Sequence, residues 1–315
     1  MARLLNLRVA AIEAVAEGIR TFTIRAPDGG SLPMFTPGAH IDVQLPKAML
    51  RSYSLLNGPG QQDRYDIGVA LDAGGRGGSR YLHEHIAVGD AIKVSLPRNR
   101  FPLSAHGRHH VCIAGGIGIT PILSMVRHLA GSGQSWKLHY AARSRKAAAF
   151  VEELEAHGEH VVLRFDDEAG GGFPDVACIV REAPALSDLY CCGPRGMLDA
   201  FILATSALPP EHVHLESFVS AQPSAENRAF MVELARSRRT FEIPADATIL
   251  EVLLAAGVEA PYSCRLGICS QCRTGILSGV PDHRDAVLSP AERAAGKTMM
   301  VCCSRAVSDM LVLDR

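Results

Sequence analysis

Three cysteines lie close together near the carboxyl end of the 315-residue chain. The segment 262–272 reads YSCRLGICSQC, which spaces Cys264, Cys269 and Cys272 as C-x4-C-x2-C. Iron prefers soft thiolate ligands, and a two-iron cluster needs four of them, two on each iron. One loop can offer three thiolates, and Gly267 permits its sharp backbone course. The pattern therefore predicts a [2Fe–2S] cluster, which carries single electrons.

The fourth thiolate must come from a distant segment, where MVCCSR offers Cys302 and Cys303. Adjacent residues of a strand point to opposite faces, so we expect only one of the two to face the cluster. A structural zinc site is the alternative. Zinc sites usually pair two short C-x2-4-C segments, whereas here three cysteines share one loop and one stands apart. The spacing therefore favours iron.

A second group of residues suits flavin binding. The segment RSYSL begins at Arg51, directly after a predicted strand. A bound flavin needs a cation for its phosphate, a ring beside the isoalloxazine and a polar group at the N5–C4 edge. Arg51, Tyr53 and Ser54 supply these in order, because alternation along a strand sorts side chains between its two faces. A segment of this composition is common, so its meaning depends on its neighbours.

A glycine-rich turn, GGRGGSRYLHEH, follows downstream and leads into a predicted helix. The backbone amides of Gly77 and Gly78 and the hydroxyl of Ser79 predict an anion site at the start of this helix. A glycine turn is more often only a turn. Its position after the RSYS strand favours a phosphate-binding role.

Two further turns predict a nicotinamide nucleotide site. In AGGIGITP, Gly116 lets a pyrophosphate approach the backbone and Thr120 lies where a helix begins, although this is not the G-x-G-x-x-G fingerprint. In CCGP, a predicted strand ends at Cys192, Gly193 and Pro194. Ligands bind at the carboxyl ends of strands in such sheets, where a small thiol can lie beside a nicotinamide. A buried cysteine pair without chemistry is the alternative.

The pattern of predicted strands and helices that must position these residues changes along the chain. Residues 1–105 show short alternating strands and predict an antiparallel β-barrel domain. Residues 106–219 alternate apolar strands with helical stretches and predict an α/β domain with a parallel sheet. Residues 220–229 are polar and read as a linker. Residues 230–315 predict a hairpin, a helix, the cysteine loop and a final pair of strands, which makes an α+β domain.

Composition restricts the function. A formal net charge of −1 argues against a nucleic-acid or membrane-surface role, since both usually need a basic excess. The longest uncharged stretch, 111–126, is shorter than the roughly 18 residues of a membrane span. The N-terminus lacks the regions of a signal peptide, and nine cysteines, an odd number, favour reduced thiols. We therefore expect a cytoplasmic protein that neither binds nucleic acid nor enters a membrane.

The motifs RSYS, GRGGS, GGIGITP, CCGP and C-x4-C-x2-C…C together resemble the phthalate dioxygenase reductase family. The resemblance covers essentially the whole chain, in the same domain order. The family includes the reductase components of vanillate O-demethylases and related Rieske oxygenases. The resemblance implies a plant-type ferredoxin (β-grasp) domain, whose C-x29-C spacing selects Cys302 as the fourth ligand and leaves Cys303 as a bystander.

The resemblance also implies the cofactors. FMN would bind the barrel, and it is preferred to FAD because no added adenine-binding segment is visible. NADH would bind across Gly116, Thr120 and the turn at Cys192. Phe218 matches an aromatic residue that lies near the flavin in this family, with a plain core aromatic as the alternative. Basic residues in AARSRKAAAF and the lack of an acidic residue there leave NADPH open.

The implied activity is electron transfer from NADH through FMN and the cluster to a separate Rieske-type terminal oxygenase, by a protein expected to be a monomer. No side chain needs to act as an acid, a base or a nucleophile, because the cofactors carry the reaction. The rival acceptors are a ferredoxin and a P450. A redox sensor without turnover is a third hypothesis, against which the flavin and nucleotide motifs argue. The last part of the chain balances 11 acidic with 11 basic residues from Pro223 onward, so docking should weaken only mildly with salt.

Overall fold

Alternating apolar residues build the first sheet. The computed structural model describes the chain except for residues 1–3, 47–48, 59, 73, 75–76, 106–107, 169–173, 219–226, 263–264, 266, 268–269 and 286. The first strands are β1 (Leu4–Ala16), β2 (Ile19–Arg25), β3 (Ala39–Leu45), β4 (Met49–Ser54), β5 (Tyr65–Ala70), β6 (Ala91–Ser95) and β7 (Arg98–Asn99), with helix α1 (Gly78–His85) before β6. Every other residue of β3 is buried, as a half-buried strand requires.

The strands pair antiparallel in the order β4-β3-β6-β1-β2-β5, and β7 pairs with β3. A bridge between Leu55 and Ile67 joins the two ends of this order and closes the sheet. Phe22, Ile41 and Tyr65 lie in its fully buried interior. The first and last strands of the order thus meet around one buried interior, so the predicted antiparallel barrel is confirmed.

Parallel strands follow, separated by helices. The elements are β8 (His109–Gly115), α2 (Ile119–Ser132), β9 (Ser135–Ala142), α3 (Val151–Glu155), β10 (Val161–Phe165), α4 (Val176–Glu182), β11 (Asp188–Cys192), α5 (Arg195–Ala204) and β12 (Val213–Glu216). The sheet order is β10-β9-β8-β11-β12, with every pairing parallel. The order reverses between β8 and β11, and ligands of such sheets bind at this switch point. The predicted α/β domain is confirmed.

Alternate residues of these central strands enter two cores. Cys112 and Ala114 pack with the residues of α2, whereas Val111 and Ile113 pack with Val176, Leu198 and other residues of α4 and α5. Leu56 and Phe101, from the barrel part, belong to the α2 core. The barrel and the parallel sheet therefore share buried surface, and both lie within one compact unit, Met1–Phe218.

The second compact unit is Val219–Arg315. Its elements are β13 (Phe230–Leu234), β14 (Arg239–Ile243), α6 (Ile249–Ala255), β15 (Arg273–Ser278), β16 (Pro281–Asp282), α7 (Pro290–Ala295), β17 (Thr298–Met300), β18 (Arg305–Ala306) and β19 (Met310–Leu313). A mixed sheet has the order β14-β13-β19-β15-β17, and β16 pairs with β18. Thr248 and Glu251 form a capping box that begins α6, whose buried residues complete the core. The predicted α+β fold is confirmed.

Most of the predicted linker 220–229 lies outside the described residues, and the predicted boundaries between domains stay predictions. Within the described part of the chain, no helix combines the length and the apolar character needed to span a membrane.

Candidate functional site

The RSYS residues occupy the end of β4. Arg51 and Tyr53, two positions apart, are half-buried, while Ser52 between them is exposed and Ser54 is buried. Burial raises the pKa of Tyr53 to about 12, although nearby Arg51 opposes this shift. The phenol therefore keeps its proton at neutral pH. A cation and an aromatic ring thus lie on one face of the strand end, beside a buried hydroxyl.

The glycine-rich turn before α1 lies against the side chain of Arg51. A Cβ on Gly78, the first residue of α1, would lie 2.7 Å from Cγ and 2.9 Å from Nε of Arg51, so a side chain there would displace that of Arg51. Gly77 precedes the helix in the left-handed region, at φ 83°, and has no side chain to cap it. The Ser79 hydroxyl oxygen accepts the Asp72 amide at 3.0 Å, so its proton can be donated elsewhere. This cradle suits a phosphate dianion.

The two nucleotide turns meet at the switch point of the parallel sheet. A Cβ on Gly118 would lie 2.2 Å from the carbonyl oxygen of Cys192, and one on Gly115 would lie 2.6 Å from Cδ of Pro194. By contrast, a Cβ on Gly116 would meet nothing within 4 Å. The turns therefore pack closely, with the half-buried Gly193 against Gly115, and leave open space beside Gly116.

Two predicted residues have structural partners of their own. The Thr120 hydroxyl donates to the carbonyl of Ile117 at 2.9 Å, and its methyl group packs against Gly68 of β5, where a Cβ would lie 2.8 Å away. Thr120 is thus buried between the barrel and the sheet. Cys192 is also fully buried, and burial raises the pKa of its thiol well above the usual value. It is a neutral, small neighbour and not a nucleophile.

Glu216 is the functional candidate that the sequence motifs missed. It ends β12 and pairs in register with Cys192 of β11. Its Oε2 accepts the Ser54 hydroxyl at 3.4 Å, which joins the barrel to the parallel sheet. Burial raises the pKa of Glu216 to about 7, against the lowering effect of the Ser54 hydrogen bond. Ser54, Cys192 and Glu216 therefore converge, with a carboxyl that changes charge near neutral pH.

One signal could have found Glu216. It is the last residue of the last parallel strand, and ligands lie at the carboxyl ends of these strands. Phe218 follows two residues later and is 45% exposed, so the core-aromatic alternative does not describe it. Its role beside a flavin stays a prediction.

Two of the four predicted cluster ligands, Cys264 and Cys269, lie outside the described residues. The other two are buried, Cys272 at 2% and Cys302 at 4% exposure. The thiol of Cys302 lies within hydrogen-bonding reach of the thiols of Cys272 and Cys303, which raise its pKa far above the usual value. Crowded, buried thiols give up protons when a cation binds them. The described part of the donor set fits an iron cluster.

We predicted that Cys302 and Cys303 lie on a strand and point to opposite faces, and this prediction was wrong. Strand β17 ends at Met300, and residues 301–303 form a turn. The amides of Cys303 and Ser304 both bond the carbonyl of Met300, at 3.2 and 3.0 Å. A turn does not send adjacent side chains to opposite faces, so both thiols lie in the same neighbourhood.

Comparison with known proteins covers the whole chain. Residues 6–102 match the oxidoreductase FAD-binding domain family, residues 112–202 the oxidoreductase NAD-binding domain family and residues 232–307 the 2Fe-2S iron-sulfur cluster binding domain family. The phenoxybenzoate dioxygenase subunit beta of Ectopseudomonas oleovorans is 50% identical over 309 residues, 98% of this chain and 97% of that protein.

Solved structures that are similar to this chain point to the same kind of protein. Phthalate dioxygenase reductase, described as a modular structure for electron transfer from pyridine nucleotides to [2Fe–2S], is 41% identical with a TM-score of 0.69, covering 99% of this chain and 98% of that one. An intact type IV self-sufficient cytochrome P450 monooxygenase is 38% identical with a TM-score of 0.69, over 99% of this chain but 41% of that one.

The fold and the matched domains define an oxidoreductase with flavin-binding, NAD-binding and [2Fe–2S] domains, as the motifs predicted. The chain belongs to the phthalate dioxygenase reductase family. The predicted resemblance and the predicted kinds of cofactor are therefore confirmed.

Proposed function

We propose that the chain is the reductase component of an oxygenase system, taking electrons from NADH and delivering them singly to a Rieske-type terminal oxygenase. The observation that carries the proposal is the convergence of Ser54, Cys192 and Glu216, since it brings the predicted flavin edge to the predicted nicotinamide site. The likeness to a dioxygenase subunit over 98% of the chain supports the acceptor. A bound flavin accepts a hydride and releases electrons one at a time.

The barrel residues hold and orient this flavin. The guanidinium of Arg51, the amides of Gly77 and Gly78 and the Ser79 hydroxyl bind its phosphate, since all lie at the start of α1. Tyr53 offers its ring and Ser54 its hydroxyl at the end of the strand. The family resemblance favours FMN over FAD.

The sheet residues position NADH. Open space beside Gly116 admits the pyrophosphate, and the turn at Gly193 and Pro194 borders the nicotinamide. Cys192 is a buried, uncharged residue at the base of this nucleotide site. The oxidised nicotinamide ring is cationic, so an ionised Glu216 stabilises it as the hydride leaves. With its pKa near 7, the carboxyl supplies this charge above neutral pH.

NADH is favoured over NADPH by the family resemblance and by the ion pair of one basic residue after β9, Arg145. Arg145 is held by Glu155, with nitrogen–oxygen distances of 2.6 and 3.2 Å, and its pKa is raised chiefly by this bond, with Glu168 contributing. The Ser144 oxygen accepts the amide of Ala147 at 3.2 Å. A 2′-phosphate would have to compete with Glu155 for this guanidinium, which makes Arg145 a poor phosphate ligand.

Cys264, Cys269, Cys272 and Cys302 are proposed to ligate the cluster, and the protein is proposed to act as a cytoplasmic monomer. A second candidate acceptor is a P450, because a self-sufficient P450 monooxygenase contains a segment 38% identical to this chain. A separate ferredoxin is the remaining alternative.

The test compares NADH with NADPH as donors for cytochrome c and ferricyanide. We expect NADH to be preferred. In Cys272→Ser, cytochrome c reduction should be lost while ferricyanide reduction, which needs only the flavin, persists. Purified protein with iron but no flavin, or equal loss of both activities, would contradict the proposal.

A further inference from the structure

Cys303 is a half-buried thiol with two separate contacts to the cluster site. Its sulfur lies within hydrogen-bonding reach of Cys302. It also touches the cysteine loop, because a Cβ on Gly267 would lie 2.4 Å from its Sγ. Gly267 has φ 72° there, which glycine adopts without strain. Cys303 therefore packs between Cys302, a predicted ligand, and Gly267.

The S–H of Cys303 has a choice of acceptors. The carbonyl of Met300 lies 3.8 Å from its sulfur, and the Ser304 hydroxyl lies 3.9 Å away. A ligating Cys302 is a thiolate, and a charged acceptor makes a stronger hydrogen bond than a carbonyl at this distance. The oxygen of the fully buried Ser304 accepts the Arg284 amide at 3.2 Å, so its own O–H can donate to Cys303. The donors thus run from Ser304 through Cys303 towards Cys302.

We propose that Cys303 is a positioning residue of the cluster, whose S–H donates to the Cys302 sulfur and raises the cluster's reduction potential. The inference rests on the proposed function, because it requires Cys302 to hold the cluster. Reduction adds negative charge to the cluster and its sulfurs, so a donor to one sulfur stabilises the reduced form more than the oxidised form. Cys303 thereby helps to set how readily the cluster, the last electron carrier of the protein, is reduced.

The experiment is a redox titration of the holoprotein, with cluster reduction followed by electron paramagnetic resonance. We expect Cys303→Ala to keep its iron and to lower the equilibrium constant for one-electron reduction about tenfold, which is about 59 mV. Cys303→Ser keeps a donor and should recover most of the shift. Cys178→Ala is the matched control, because it removes another half-buried thiol, in the first unit, and should leave the potential unchanged.

Equal potentials in the wild type and Cys303→Ala would overturn the inference. Loss of iron from Cys303→Ser, together with its retention in Cys302→Ser, would also overturn it, because Cys303 would then be the ligand. A wild-type protein that binds flavin but no iron would instead refute the proposed function itself.

Discussion

The Ser54 hydroxyl donates to the carboxylate of Glu216 across 162 positions of the chain, at 3.4 Å. Ser54 ends a barrel strand and Glu216 ends the last strand of the parallel sheet. Two sites predicted from separate motifs are therefore joined through a carboxyl whose pKa lies near 7.

Glu216→Gln tests whether this carboxyl supports hydride transfer. In the wild type, the rate of flavin bleaching by NADH should rise with pH through about 7, because burial holds the carboxyl protonated below that pH. The variant should lose this dependence and run about tenfold slower at high pH, since tenfold corresponds to about 1.4 kcal/mol of activation free energy. Stopped-flow absorbance measures both. The exposed Glu211→Gln is the control, and an unchanged pH profile in Glu216→Gln would count against the role.

Gly118→Ala tests the packing of the two nucleotide turns. The new Cβ would lie 2.2 Å from the Cys192 carbonyl, so one turn must move. We expect a raised KM for NADH and about 2 kcal/mol less unfolding free energy in urea, the scale of an overpacked core. Gly131→Ala, in α2 with nothing within 4 Å of its Cβ, should instead gain about 0.5–1 kcal/mol. Equal behaviour of the two variants would disprove the close approach.

Glu155→Gln tests the choice of coenzyme. Removing the partner of Arg145 frees a guanidinium for a 2′-phosphate. The ratio of kcat/KM for NADPH to that for NADH should rise about threefold, the scale expected of one exposed ion pair. The dissociation constant of 2′-AMP should fall in parallel, which calorimetry can measure without turnover. Glu159→Gln removes an equal charge from an exposed position nearby, and a similar change in that variant would point to general electrostatics.

Asp188→Asn tests a buried carboxylate at the amino end of β11, at the opposite end of this strand from Cys192. Asp188 is 1% exposed, and its Oδ1 lies 3.0 Å from His212 Nδ1 and 3.4 Å from His214 Nε2. Burial raises its pKa, but hydrogen bonds from His212, His214 and Ser104 outweigh burial and lower it below the ordinary 3.8. A lowered pKa gives stability above 3.8 that is lost as the pH falls through the folded pKa.

Asp188→Asn should therefore cost about 2 kcal/mol of unfolding free energy at pH 7, the scale of hydrogen bonds to a charged group. The difference from the wild type should shrink as the pH falls below about 4, since the carboxyl of the unfolded chain then binds a proton while the native carboxylate stays ionised until a lower pH. Urea titrations at pH 7 and pH 3 measure this. A difference that is constant with pH would show that the ionised form is not what stabilises the sheet.

Local spacing dictates local contacts, so residues of the same motif could be expected to lie together, while their roles toward cofactors stay predictions. Arg51 lies against Gly78, which brings together two motifs predicted for one flavin, and the structure adds the close approach of Gly118 to Cys192. Glu216 was missed because no spacing pattern marks it, and only the closure of the sheet brings it to Ser54. The Cys302–Cys303 argument failed because it assumed a strand, whereas the chain turns after Met300. The amides of Cys303 and Ser304 both bond the carbonyl of Met300 and fix this turn. Strand alternation alone does not predict such bonds.

Leu56 and Phe101 are buried in the core beside α2. This burial determines at which positions the polypeptide can be divided into parts that keep their cores. Division between residues 105 and 106 would strip both side chains from their packing. It would also break the bonds from Arg127 and Ser124 to the carbonyls of Leu56 and Asn57. Division after Phe218 leaves each product with a complete core of its own. Recombination among relatives should therefore exchange the iron–sulfur part as one cassette and inherit the flavin and nucleotide parts together.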